Sequence, residues 1–203
     1  MPLQMKNQTA AFGKPSEMIK DYVERKLVPI PDTPEAKKLL AVGEAKSRVY
    51  VVGANGALAN TIVYIKKGLE GKTFPAPTAK AEIDQKGCMY YPYVAAVMVG
   101  QKFDVKNSDP FMHNVNCTSK AGNTPFNIAQ TRQGQVDTKS YTKPETFVTL
   151  QCNVHPWMFA YVGVVEHPFF AVTDKDGKFK LPGNLPAGKY RSEEHTSELQ
   201  SHH

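Results

Sequence analysis

From about residue 48 onward, apolar and polar positions alternate with a period of two in short runs, the pattern of strands with one buried face. "RVYVV" and "TIVYI" flank "GANGALAN", where Asn55-Gly56 predicts a tight hairpin. "YVAAVMV", "KFDVKN", "HNVNC", "TFVTLQC", "FAYVGVV", "FFAVT" and "KFKL" follow, separated by Gly, Pro, Asn and Asp. Valine, phenylalanine, tyrosine and threonine dominate these runs, as they do in pleated, half-buried strands. The reading is an all-β chain, a Greek-key β-sandwich or barrel. Residues 1–44 are mixed and polar. "SEMIKDYVERKL" fits a short amphipathic helix, which the three prolines of "VPIPDTP" stop. This part is read as an N-terminal arm or linker. The chain shows no internal repeat and no low-complexity tract.

The far end breaks the pattern. After "DKDGKFKLPGNLPAGKY" a further apolar strand is expected, but "RSEEHTSELQSHH", residues 191–203, supplies none. That run resembles the translation of a sequencing-library adapter and is read as a non-native tail without fold or chemistry. The whole sequence carries a formal charge of +6; without the tail, 24 basic and 16 acidic residues leave an excess of eight. Lysine and arginine do not cluster among aromatics, so nucleic acid is not an expected partner and the charge reads as a solvated basic surface. No apolar run approaches the ~20 residues of a membrane helix. The N-terminal residues lack the pattern of a secretory signal, which is read as missing from this sequence.

Of six histidines, three lie in the tail, leaving His113, His155 and His167. "CNVHPWM" places Cys152, His155 and Met158 on one short loop between "TFVTLQC" and "FAYVGVV". A fourth ligand must come from elsewhere, and His113 in "NSDPFMHNVNC", at the start of another strand, is the candidate. Two imidazoles, one thiolate and a weak axial thioether form the ligand set of blue-copper electron-transfer centres. Zinc prefers a further Cys, His or carboxylate to a thioether, and the C-x-x-C-H of haem attachment is absent. Taken singly, Cys152 reads as a buried core residue, and Met158 equally as core or as axial ligand, since both types pack readily.

"HNV" together with "C-x2-H-x2-M" resembles the cupredoxin family, and the short "CNVHPWM" loop is most similar to that of the amicyanins. The stretch from Val49 to Tyr190 also resembles secreted bacterial proteins in which a cupredoxin-like unit runs into a carboxypeptidase-regulatory-like β-segment, here "EHPFFAVTDKDGKFKLPGNLPAGKY". The resemblance implies a cupredoxin-like copper domain over 45–168 and a truncated carboxypeptidase-regulatory-like segment over 169–190. It implies one type 1 copper ion on His113, Cys152, His155 and Met158. It also implies that Asn114 ties the two ligand loops together. Where relatives carry histidine in the stretch matching "YYPYV", this chain has Tyr93.

Cys88 and Cys117 are left over, either paired in a disulfide or as two buried thiols. His167 is expected to support a turn. Phe111, Met112, Pro156 and Trp157 flank the ligands and read either as a docking patch around His155 or as core. The expected function is a one-electron carrier with a cytochrome or dehydrogenase as redox partner. The alternative is a non-redox copper-binding or structural module of a larger secreted protein. A copper enzyme would need a second copper with its own histidines, and only His167 remains, so catalysis is not expected. A copper–thiolate site belongs outside the reducing cytosol, in the periplasm or the extracellular space.

Overall fold

A computed structural model describes residues 48–196, apart from residues 50, 54 and 55, together with Pro34 and Lys37. The expected N-terminal arm apart from Pro34 and Lys37, the expected helix, and Asn55 of the expected hairpin lie outside the described residues. Twelve strands run through them: β1 (Ile62–Lys67), β2 (Ala81–Gln85), β3 (Tyr90–Tyr91), β4 (Val94–Met98), β5 (Phe103–Asn107), β6 (His113–Thr118), β7 (Phe126–Gln130), β8 (Val136–Lys139), β9 (Glu145–Gln151), β10 (Phe159–Val165), β11 (Phe170–Val172) and β12 (Arg191–His195). The chain is all-β, as the alternation predicts.

The strands form a five-stranded sheet in the order β4-β10-β9-β6-β7, a four-stranded sheet β3-β2-β5-β8 and a three-stranded sheet β11-β1-β12. Most pairings are antiparallel; β4 with β10 and β2 with β5 are parallel. The main core joins the five- and four-stranded sheets. Ala160, Val162 and Val164 of β10, Val148 and Leu150 of β9, and Val97 of β4 meet Ile83, Phe103 and Val105, with Phe103 stacked on Tyr141 at 5.0 Å.

On the opposite face, Val94 and Ala96 of β4, Phe147 of β9 and Phe159 and Tyr161 of β10 are apolar too, because the third sheet covers them. Val94, Phe147, Phe159 and Tyr161 pack with Ile62, Tyr64 and Val172. Gly163 lies where the two layers approach closely. A Cβ there would lie 2.3 Å from Ile62 Cδ1 and 3.1 Å from the Thr146 carbonyl oxygen, so only glycine fits without displacement.

Several elements depart from the sequence pattern. β2, β7 and β8 ("AEIDQ", "FNIAQ", "VDTK") are too polar to stand out in the sequence and rest on backbone pairing with β5 and β6. "KFKL", expected as a strand, is irregular, its lysines exposed after the Asp174–Lys178 turn. Among its described residues, "RVYVV" contributes the isolated Val52–Leu58 bridge, with Gly56 at φ 75° in the turn. Arg191–His195 were expected to form no strand, yet they are β12. β1 presents an edge that any extended backbone can pair with, and Glu193 adds side-chain contacts to Tyr64 (2.5 Å) and Lys66 (3.0 Å). β1 thus shares a sheet with segments that follow residue 169.

His167 has the structural role expected of it. Its Nδ1 accepts from the Phe169 N–H at 3.3 Å, leaving Nε2–H to donate to the Ile65 carbonyl at 2.7 Å. Its ring lies against those of Phe74 and Phe169, at 6.5 and 6.0 Å.

Candidate metal centre

Backbone register brings the two halves of "HNV" and "CNVHPWM" together. β6 and β9 are antiparallel neighbours with Asn116 opposite Gln151 and Cys117 opposite Leu150. The start of β6 therefore lies beside the end of β9, where Cys152 follows. Residues 152–158 form the loop between β9 and β10, which pair again at Gln151–Phe159. Two backbone bonds close it: Cys152 N–H to the Met158 carbonyl (2.9 Å) and Met158 N–H to the His155 carbonyl (2.8 Å).

Three of the sequence-predicted donors converge. His113 Nδ1 and His155 Nδ1 are 3.0 Å apart, and Cys152 Sγ lies 3.9 Å from the first and 3.7 Å from the second. Cys152, His113 and Met158 are fully buried and His155 is 4% exposed. Met158 sits at the closing end of the same loop and packs in the main core beside Cys152 and Trp157.

Asn114 links the two segments. Its Oδ1 accepts from the Asn153 N–H at 2.6 Å and from the Val154 N–H at 3.4 Å, and its own N–H points to Cys152 Sγ at 3.5 Å. Its Nδ2 donates to Asn127 Oδ1 at 2.7 Å, anchoring the side chain to β7. The Tyr90 hydroxyl donates to the Asn114 carbonyl at 3.1 Å.

Two residues of this cluster carry no metal-site expectation in the sequence. Asp109 lies in "NSDP", which reads as a turn. Its carboxylate accepts from His113 Nε2–H at 2.8 Å, from the Gly87 N–H at 2.7 Å and from the Cys88 N–H at 2.9 Å. Holding Nε2 protonated directs the Nδ1 lone pair of His113 toward Cys152 and His155. Asn107 in turn fixes Asp109: its Oδ1 accepts from the Asp109 N–H, and its Nδ2 donates to the carbonyls of Phe111 and Gln130. The second residue is Cys88. Its Sγ and a ring nitrogen from each of His113 and His155 lie within 4.8 Å of one another. Cys88 was left over from the sequence reading because nothing in "QKGCMYY" marks its proximity to His113. Cys117 points elsewhere, 3.5 Å from the Tyr141 hydroxyl, and both are thiols.

The electrostatics favour a thiolate at Cys152. Burial raises its pKa, but contacts with His113 and His155 and the Asn114 N–H outweigh burial and hold it down at about 6. Burial opposes charge on His113, yet Asp109 and Cys152 raise its pKa above the ordinary histidine value. Asp109 is lowered: burial works the other way, and His113 with the two backbone N–H groups prevails.

Around the cluster, the Phe111 ring lies 5.9 Å from that of His155 and 5.2 Å from that of His113, and Trp157 lies 5.3 Å from His155. The predicted flank divides: Trp157 is buried, Phe111 is half-buried, and Met112 and Pro156 are exposed. Val154 is exposed as well.

The fold and the cluster together define an all-β sandwich in which two imidazoles lie together, with the Cys152 thiol 3.7 to 3.9 Å from their Nδ1 atoms and the Cys88 thiol within 4.8 Å of a ring nitrogen of each. No family model and no curated protein matches the chain. Solved structures similar to it include a Cu-containing nitrite reductase from Thermus scotoductus SA-01, at 24% identity and TM-score 0.41 over 47% of this chain and 24% of that one. The chain thus spans about a quarter of that enzyme. A purple cupredoxin from Nitrosopumilus maritimus shares 21% identity at TM-score 0.36, over 42% of this chain and 99% of that one. A reduced Cu(I) form of an amicyanin variant shares 19% identity at TM-score 0.39, over 50% and 97%.

Proposed function

We propose that the chain is a cupredoxin-like one-electron carrier in which His113, Cys152, His155 and Met158 hold a type 1 copper ion. The observation that carries this reading is the convergence of Cys152 Sγ with the Nδ1 atoms of both histidines, at 3.0 to 3.9 Å, in a buried pocket. The donor set fits the ion. A thiol held near pKa 6 supplies thiolate at neutral pH, and two imidazoles with a buried thioether complete a set suited to copper. When bound, copper supplies one-electron redox chemistry.

The chain's own residues supply rigidity and access. Asp109 fixes the His113 tautomer and Asn114 clamps the Cys152 loop, so donor positions need not rearrange between oxidation states. Phe111, Trp157 and the core exclude water. Met112, next to His113 in sequence, and Val154 and Pro156, on either side of His155, are exposed and would offer a redox protein apolar side chains to dock on. His155 itself is only 4% exposed, so an electron would not leave through a bare imidazole edge. No catalytic residue is assigned. A reversible copper–thiolate couple suits the oxidising space outside the cytosol. Among the described residues, no helix is long and apolar enough to cross a membrane.

The test is an absorption and EPR spectrum after adding Cu(II), with Cys152→Ser as control. An intense visible thiolate-to-copper band that is lost or strongly weakened in the variant is expected. A colourless protein, or a copper signal unchanged without Cys152, would leave a structural β-sandwich module instead.

A further inference from the structure

We infer that Cys88 is a second thiolate ligand of the same site, so that the chain offers one ion two thiolates and two imidazoles. This inference rests on the proposed metal centre and extends its donor set beyond the four residues legible in the sequence. Cys88 Sγ and a ring nitrogen of each histidine fall within 4.8 Å of one another, a spread that one ion can span by small side-chain adjustments. Cys88 is 1% exposed, so solvent does not compete for its thiol.

The backbone is built to hold it there. Lys86 and Met89 exchange backbone hydrogen bonds at 2.9 and 3.2 Å around a two-residue turn, with Gly87 at φ 60° and Cys88 at φ 54°. A turn of this kind favours Asn and Gly; a cysteine in the left-handed region is strained, because its Cβ crowds the following carbonyl oxygen. The strained residue is held from two sides. Asp109 accepts both the Gly87 and Cys88 N–H groups with the same carboxylate that orients His113. Trp157, from the loop that carries Cys152 and His155, donates its indole N–H to the Cys88 carbonyl at 3.2 Å. Every segment that brings a donor to the cluster is thus bonded directly to the Cys88 turn or to Asp109. If Cys88 were only core filler, an apolar residue on a neighbouring strand would serve without the strained turn.

Two thiolates and two imidazoles are also the donor set of tetrahedral zinc sites. The chain should therefore take Zn(II) and Co(II) as well as copper, and hold thiophilic ions more tightly than a single-cysteine site. Met158 then acts as a neighbouring thioether and not as the fourth strong donor.

The test uses the full chain with Zn(II) and Co(II) as probes. X-ray absorption of the Zn(II)-loaded protein should show two sulfur neighbours at about 2.3 Å; one sulfur would overturn the inference. This measurement needs no variant to fold. In the Co(II)-loaded protein, Cys88→Ser and Cys152→Ser should each reduce the thiolate charge-transfer intensity by about half, one of two thiolates having been removed. If Cys88→Ser leaves the intensity unchanged while Cys152→Ser abolishes it, Cys88 is no ligand and the single-thiolate copper reading stands. If Cys152→Ser has no effect, both readings fail.

Discussion

The Asn114 side chain accepts the Asn153 backbone N–H at 2.6 Å, so the residue after one candidate ligand is tied to the residue after another across 39 positions of sequence. The same oxygen reaches the Val154 N–H, and the amide nitrogen is anchored on Asn127. Asn114→Ala leaves these loop N–H groups without their acceptor. It should cost about 1–3 kcal/mol in denaturant unfolding of the metal-free chain. Copper affinity, measured by chelator competition, should fall about 10- to 100-fold.

Asp109→Asn keeps the shape of the side chain but removes the charge that draws the His113 Nε2–H and the two turn N–H groups. The His113 ring loses its preferred tautomer, and copper affinity is expected to drop about 10- to 100-fold. The fold, read from the denaturation midpoint, should shift far less than when a core residue is truncated. An unchanged affinity would mean that His113 is oriented by packing against Phe111 alone.

Gly163→Ala tests the contact between the five- and three-stranded sheets. The added methyl meets Ile62 Cδ1 at 2.3 Å, and the expected loss is about 1–3 kcal/mol. Ile62→Val removes that same atom, so the double variant should recover part of the loss. The Thr146 carbonyl oxygen at 3.1 Å keeps the recovery incomplete. Additive losses in the double-mutant cycle would show that the sheets are not in contact here.

Glu193 gives a pH dependence whose sign can be worked out. The Tyr64 hydroxyl and Lys66 lower its pKa from the usual carboxylate value to about 2. A depressed carboxylate adds stability that is fully present above the unfolded value and is lost as pH falls from about 4.5 through about 2. The pair is more than a third exposed, so the effect should stay below about 1 kcal/mol. Glu193→Gln should be slightly less stable than the parent chain near neutrality, and the difference should close in acid.

Charge placed on these exposed apolar positions tests the docking surface. Val154→Glu or Met112→Glu should leave the visible copper band unchanged while slowing electron exchange with an acidic redox partner by about tenfold or more. An unaltered rate with an altered spectrum would place these residues in the site's structure and not in its access route.

Much of the candidate centre is legible in the sequence because ligand chemistry is local. Cys152, His155 and Met158 fall in one seven-residue stretch, and scarcity of histidine singles out His113. Asp109 and Cys88 were not readable. One looked like an ordinary turn residue and the other like a spare thiol, since their importance depends on contacts with His113, His155 and Trp157 far along the chain. The strands divide in the same way. Those with buried apolar alternation, β4, β5, β6, β9 and β10, announce themselves. β2, β7, β8 and β12 are held by backbone ladders that carry no side-chain signature.

The sequence by itself determined the all-β class, the strands of the core and which residue types could bind a soft metal ion, because side-chain period and donor chemistry are properties of short segments. Only the tertiary structure decided that β1 joins β11 and β12 over the outer face of the five-stranded sheet. It alone brought Cys88 and Asp109 to the histidine pair. Both outcomes depend on strand register and backbone hydrogen bonding between segments distant in sequence, and no local pattern encodes either.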